Sequence, residues 1–382
     1  MALSANSTDG GPDSAGFWRS AVFRYFAVLA LVLLVALAAF LAFSLYEYAV
    51  LGEHQLAMRK PPIVTPYYLG RLVAILLLSL LIAVAMYRWR GGDSAIGRAM
   101  LSSFERRVAW GLLAGAAACT ALFTVDPLLF NQQALEDSAL EWVSALLPLA
   151  ASAGFAYAFV HVLRAPPRDG RRRVTLLLCP LFAFVLFVIG MEEISWMQRV
   201  FGIATPDLFA ENQQREMNLH NMHSIVFGQT HKAAMFAALI LAPFIVDTAP
   251  RNRLFDWLAD FLPSRFILVV SVPWAGMNYN EWNFTASQMY VTLTLVILAC
   301  YVKAAWQRRD RAELALFAAI AVFIVIAQPL YLGLGHQFVR MWDASEYVEL
   351  FMAIGLAIYT WQTIARLQAR YGAAQGAAAA TP

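Results

Sequence analysis

The chain has 382 residues, 60% of them hydrophobic and only 14% charged, with a mean hydropathy of +0.59. Soluble domains carry about 25% charged residues, so the composition excludes a soluble globular protein and indicates a polytopic membrane protein. The net charge is only +3, and the basic residues form short flanking clusters with no interleaved aromatic stripe, which speaks against a nucleic-acid partner.

Residues Met1 to Arg19 are rich in Ser, Gly, Asp and Asn and read as a disordered tail (1–19). Arg19 and Arg24 flank an apolar run from Tyr25 to Tyr46. At about twenty residues it is too long for a signal-peptide core and no A-x-A site follows it, so it reads as a retained first span. Eight further runs of the same kind follow: Tyr68–Tyr87, Val108–Phe130, Leu140–Leu163, Val174–Gly190, Ala233–Val246, Ser287–Trp306, Leu314–Leu334 and Tyr347–Ile364. Phe266–Gly276 is shorter and contains Pro273, yet it counts as a tenth crossing. Residues 20–368 thus form a single transmembrane domain, and 369–382 a flexible Ala-rich tail. The expected fold is all-α, a polytopic transmembrane helix bundle.

Charge bias orients it. With ten crossings, 21 of the 28 Lys and Arg residues fall on the face that carries both termini. The positive-inside rule makes that face cytoplasmic, so the chain is expected in a bacterial cytoplasmic (inner) membrane, N-in and C-in, with the lipid bilayer as its surroundings. Omitting the Phe266–Gly276 crossing would put the Lys303–Arg311 cluster outside. The three cysteines (Cys119, Cys179, Cys300) lie in apolar runs without metal-ligand spacing and read as buried side chains.

The opposite face collects the unusual residues, above all in the stretch Gly190 to His223, GMEEISWMQRVFGIATPDLFAENQQREMNLHNMH. Two adjacent carboxylates, Glu192 and Glu193, sit at the end of the fifth span. On a helix continued to Phe201, Glu192, Ser195 and Arg199 share a polar stripe, while Glu193 falls among Trp196, Met197, Val200 and Phe201. A carboxylate centred on an apolar face needs a partner from elsewhere, which is how a general base or a metal ligand is built. Thr205 and Pro206 provide a helix start signal within the polar linker, so a short interfacial helix is expected there. Glu216, His220 and His223 are spaced i, i+4 and i+7, sharing one face of any helix that holds them, a spacing suited to metal ligation.

Other residues of this face could complete a site. The last span opens with Asp343, Glu346 and Glu349 at i, i+3 and i+6, a ridge continued by the small residues Ala353 and Ala357, which favour close helix contact. Asp137 and Glu141 open the fourth span in a similar way. His231 reads as an interfacial anchor. His336 and Arg340 precede the last span, and Asn221, Trp282 and Asn283 are candidates to contact a substrate head group.

The motifs EEISWxQRxFG (from Glu192), TP and NLHN, with EDxxLEW at the fourth span and ExVEL at the last, resemble a family of uncharacterised bacterial multi-pass membrane proteins. That likeness covers most of the chain from Glu136 onward and brings no activity with it. A looser likeness is to the CAAX-type intramembrane proteases, through the Glu192–Glu193 pair and FGQTH (Phe227 to His231). Arg199 stands two positions beyond the place of the arginine in that pattern, and Arg340 stands where its asparagine belongs.

The residues themselves point to an integral-membrane enzyme acting on a lipid or lipid-linked substrate at the acidic face, by hydrolysis or group transfer. Glu193, Glu192, His220 and Glu349 are the catalytic candidates, and Arg199, Asn221, Trp282, Asn283, Arg340 and Glu346 the substrate-binding ones. His220, His223 and His336 are the metal-ligand candidates, a set that admits a divalent metal such as zinc. Two other readings stay open: a proton- or cation-coupled transporter using Glu193, Glu346 and Glu349, and a non-catalytic assembly or receptor subunit.

Overall fold

The computed structural model describes residues 20–53, 61–90, 95–97, 101–135, 138–165, 170–209, 212, 215–219 and 224–379. Among these residues every regular element is helical. Nine helices are long and apolar enough to cross a membrane: α1 (Ala21–Leu51), α2 (Pro66–Arg88), α3 (Ser103–Val125), α4 (Ala139–Arg164), α5 (Gly170–Glu193) and α6 (Val226–Thr248) in the first part. A shorter apolar helix, α7 (Arg265–Met277), is followed by α8 (Thr285–Arg308) and α9 (Arg311–Gly333). The last helix, α10 (Asp343–Ala379), runs beyond the expected span end at Ile364 and into the segment read as an Ala-rich tail.

Local chemistry sets the helix starts. Ser20, Thr65, Ser102, Asp126, Ser138 and Asp310 each accept a backbone N–H from the first turn that follows them, satisfying donors that a membrane surface leaves exposed. Ser102 and Glu105 form a full capping box. The expected run Val108–Phe130 is corrected by the same rule. α3 stops at Val125, and Asp126 caps a separate short helix, Pro127–Gln133. Proline has no N–H to donate, so an Asp-Pro pair favours restarting a helix over continuing one.

The weakest apolar run is the centre of the molecule. α7 packs against α3, α6, α8, α9 and α10, and its residues from Phe266 to Met277 are buried almost completely. Its second half is a 3-10 helix from Val272 to Met277, with Pro273 in its first turn. Thirteen residues so arranged rise roughly 22 Å, less than the ~30 Å hydrocarbon core. Because protein surrounds it, α7 has no lipid to match. Its ends still lie on opposite faces. Arg265 pairs with Asp247 at the end of α6, and just past Met277, Glu281 pairs with Lys232 at the start of α6. Gly355 of α10 permits the closest approach: an added Cβ would lie 2.5 Å from Ser271 Oγ.

Around α7 the other helices pair off. α8 packs on α2 and α9, α1 packs on α2, and α4 packs along both α5 and α10. Polar contacts at mid-depth are neutral, as between Ser79 and Thr292 at 2.8 Å and from the Ser152 hydroxyl to the Ala183 carbonyl at 2.7 Å. Two ionic networks are buried deeper than their sequence context predicts. Glu47 and Arg71 form an ion pair with both side chains fully buried, and Arg71 Nε also donates to Gln288 Oε1 at 3.1 Å. On the basic face Asp247, Arg265, Arg308 and Glu313 form a second network, with Tyr301 donating to Asp247 at 2.9 Å.

Candidate functional site

Gly190 brings α5 against α4 one turn before the glutamate pair. A Cβ at that position would lie 2.8 Å from the Ala145 carbonyl oxygen and 2.7 Å from Leu149 Cγ, so only glycine allows this approach. The approach sets Ser144, the residue beside Ala145, opposite Glu193, and Ser144 Oγ lies 3.0 Å from Glu193 Oε1 and 2.8 Å from the Glu141 carbonyl oxygen. Glu193 thus faces a neighbouring helix, in keeping with the need for a partner read from its apolar surroundings.

The continuous helix expected through Phe201 does not form. α5 ends at Glu193, and Ser195, Trp196 and Met197 follow with φ of 47°, 55° and 63°. Three successive non-glycine residues in the left-handed region cost roughly 1–2 kcal/mol each, so the surroundings must enforce the turn. A dense set of hydrogen bonds does so. Ser195 Oγ donates to Glu216 Oε2 at 2.6 Å and accepts from Asn218 Nδ2 at 2.8 Å. Trp196 Nε1 and the Leu219 amide each donate to Glu192, both at 2.7 Å. Met217 N donates to Gln198 Oε1 at 2.6 Å, and Asn212 Nδ2 donates to the carbonyls of Glu216 and Asn218 at 2.9 and 3.0 Å.

This turn reassigns several residues. Glu192 and Arg199 do not share a stripe: Glu192 holds Trp196 and Leu219, while Arg199 forms an ion pair with Glu216. Glu216 lies in a non-helical segment, so the expected helical face of Glu216, His220 and His223 does not begin there. The start signal at Thr205 and Pro206 yields only the single 3-10 turn Asp207–Phe209, and the Thr205 hydroxyl bonds to the Arg215 carbonyl. His220, Asn221 and His223 lie outside the described residues.

Across from Glu193 stands the first part of α10. The ridge of Asp343, Glu346 and Glu349 divides by function. Asp343 is fully buried and paired to Arg340, whose Nε lies 2.8 Å away, and Arg340 also bonds the Ala134 carbonyl. Glu346 and Glu349, one turn further on, join Glu193: a carboxylate oxygen from each lies within 4.8 Å of the other two, and all three residues are half-buried. Glu346 also feels the charge of Glu141, with Arg340 as an opposing charge. The ridge faces the interior as its small residues suggest, since Ala353 is buried.

None of the other described candidates belongs to this triad. His336 is exposed in a 3-10 turn before α10 and belongs to no metal-capable group among the described residues. Trp282 is buried. Asn283 clasps the backbone of Ile63, accepting from its N–H at 2.8 Å and donating to its carbonyl at 3.0 Å. His231 sits beside Lys232, which makes a 2.9 Å ion pair to Glu281. Ser144 was not legible as a site residue, although its i+3 spacing from Glu141 places both on one face of α4.

Like charges at this separation repel strongly where solvent is partly excluded. A shared cation turns the repulsion into attraction. Two metal–oxygen bonds of about 2.4 Å span 4.8 Å when opposed, so the triad is of a size that a six- to eight-coordinate ion accommodates. Its donors are all hard oxygens, which favour magnesium, calcium or manganese over the zinc expected from a histidine set. No family model, curated protein or solved structure matches the chain.

Proposed function

We propose that Glu193, Glu346 and Glu349 form a divalent-cation centre on the acidic face, and that the protein is a bacterial inner-membrane enzyme using it on a lipid or lipid-linked substrate. The observation that carries this reading is the convergence of three carboxylates from two helices within 4.8 Å. An interfacial position suits a substrate whose apolar part stays in the bilayer while its head group meets the ion. The cation would act as a Lewis acid on an ester or phosphoester oxygen, in hydrolysis or group transfer. Ser144 and Gly190 are positioning residues that hold Glu193 in place; the Ser195–Met197 turn fixes the chain that leaves it.

The test uses the full chain purified in detergent and titrated with Mn²⁺, followed by electron paramagnetic resonance. We expect saturable binding of one ion per chain, lost in Glu346→Gln and in Glu349→Gln. Absence of saturable binding, or binding unchanged in both variants, would overturn the cation centre. Release of a head group from a bacterial lipid extract, dependent on the ion and on Glu193, then tests the enzymatic part.

A cation- or proton-coupled transporter would use the same three carboxylates. The polar contacts described at mid-depth are hydroxyls such as Ser79, Ser152 and Thr292, which offers a coupled ion no chain of carboxylates to follow. Cation-driven uptake in reconstituted vesicles would favour the transporter over the enzyme.

A further inference from the structure

On the basic face a shallow groove of about 510 Å³ lies between the first turns of α3 and α9, lined by Ser103, Arg106, Arg107, Trp110, Ala312 and Ala315. Its chemistry is graded along its length. Ser103 and the two arginines stand at the start of α3, and Trp110 stands about a turn further into the bilayer. On the opposite wall Ala312 and Ala315 leave only methyl groups. Arg107 is exposed and forms no ion pair among the described residues; Arg106 donates to the Leu101 carbonyl at 2.8 Å, which fixes its guanidinium at the groove. Both walls are helix N-termini, of Ser103–Val125 and Arg311–Gly333, and each adds a partial positive charge.

We infer that this groove binds an anionic glycerophospholipid of the leaflet on the basic face. The phosphate would sit against Arg106, Arg107 and the Ser103 hydroxyl, the glycerol region against Ala312 and Ala315, and the start of one acyl chain along Trp110. Three features favour a lipid over a soluble anion. The groove opens at the depth where head groups lie, an exposed indole there matches the interfacial preference of tryptophan, and an alanine wall has nothing to offer a fully hydrated ligand. Basic pockets between helices on the cytoplasmic side are a known form of anionic head-group site. The groove is independent of the acidic-face triad.

The experiment is native mass spectrometry of the detergent-solubilised full chain, titrated separately with phosphatidylglycerol and with phosphatidylcholine. We expect one phosphatidylglycerol to be retained preferentially. Arg107→Gln should weaken retention about fivefold, as one juxtamembrane charge does, and Arg106→Gln with Arg107→Gln more steeply. Arg173→Glu, an exposed charge elsewhere on the same face, serves as control and should have a smaller effect than Arg107→Gln. Since Arg106 also bonds backbone, thermal melting of each variant accompanies the titration, and Arg107→Gln alone carries the test if the double variant unfolds. Equal retention of both lipids overturns the proposal, as does an Arg173→Glu effect matching that of Arg107→Gln. Full displacement of the lipid by millimolar glycerol phosphate also overturns it, because the groove would then be reading a soluble anion.

Discussion

The Asp247–Glu313 network of the basic face and the Glu193–Glu346–Glu349 triad of the acidic face hold their carboxylates in opposite ways. On the basic face, Asp247 and Glu313 are matched by Arg265 and Arg308: Arg265 Nε lies 2.8 Å from Asp247 and its Nη1 3.7 Å from Glu313, which also pairs with Arg308. Further donors of that network go to backbone carbonyls of the connection before α3, Arg265 to Ala95 at 3.1 Å and Arg308 to Ile96 at 2.7 Å. Opposite charges are thus matched within the protein, as a buried ion network requires. On the acidic face, Glu193, Glu346 and Glu349 are instead gathered with one another. Arg340, the opposing charge nearby, already closes on Asp343. A structural network pairs unlike charges; a cluster of like charges is what a site for a cation looks like. The difference is what supports the proposal of a cation site at the triad, beside a network that holds the fold.

The largest effect should come from the holding face. Replacing Arg265 by Ala leaves Asp247 and Glu313 buried with half of their compensation removed, and breaking such a network costs about 3–5 kcal/mol. We expect little folded monomer on size-exclusion chromatography of Arg265→Ala, and partial recovery when Asp247 is changed to Asn in the same chain. A well-folded single variant would break the comparison on its stronger side. Next comes Gly190→Val, whose side chain would enter the space held by Leu149 and the Ala145 carbonyl. Overpacking of this kind costs roughly 1–3 kcal/mol, and it should separate Glu193 from Ser144. Lower thermal stability together with weakened Mn²⁺ binding is the expected result; weakened stability with unchanged ion binding would show that Gly190 serves packing alone.

The sequence and the structure agree where hydrophobic length governs and part where tertiary contacts do. The long spans were legible because about twenty apolar residues have few alternatives to a membrane helix. The shortest run was legible only through the charge pattern around Arg265 and Lys303 to Arg311, since its surroundings, five other helices, are invisible in a local window. Glu346 and Glu349 were legible as an inward ridge by i, i+3 spacing. Their grouping with Glu193 was raised only in the cation- or proton-coupled reading and could not be derived from spacing, because their meeting depends on α4 standing between α5 and α10 and touching both. The turn at Ser195 was the clearest failure. ISWMQRVF has good helical periodicity, and what ends the helix is a set of side-chain bonds to Glu216, Asn218 and Leu219, more than twenty residues away. Arg71 and Arg265 were counted as flanking charges; their burial follows from partners on other helices.

The chemical face yields smaller changes of the opposite sign. Glu346→Gln removes one of three mutually repelling charges, so without divalent cation it should leave thermal stability unchanged or raise it by about 1 kcal/mol. Adding Mn²⁺ should stabilise the wild type by mass action and leave this variant unmoved. The same substitution logic applied to the basic face, Glu313→Gln, should destabilise in every buffer. Melting curves of the two variants with and without Mn²⁺ thus set the faces side by side in one measurement. Destabilisation of Glu346→Gln to the same degree as Glu313→Gln would make both faces structural.

The smallest expected effect tests the turn that leads away from the triad. Met197 has φ 63° and no hydrogen-bonding side chain, whereas Ser195 is held by Glu216 and Asn218. Glycine adopts that backbone conformation without a steric cost. Met197→Gly should therefore recover part of the roughly 1 kcal/mol left-handed penalty, offset by the loss of a half-buried side chain, for a net change within about 1 kcal/mol. Ser195→Gly relieves the same kind of strain but leaves Glu216 and Asn218 short of a buried partner, a deficit of about 1–3 kcal/mol. The pair separates two origins of the turn. If the hydrogen bonds impose the left-handed backbone, Ser195→Gly is clearly the less stable of the two by thermal melting. If local backbone preference were enough to form it, both variants would gain stability alike, and the contacts from Glu216 and Asn218 would be a consequence of the turn and not its cause.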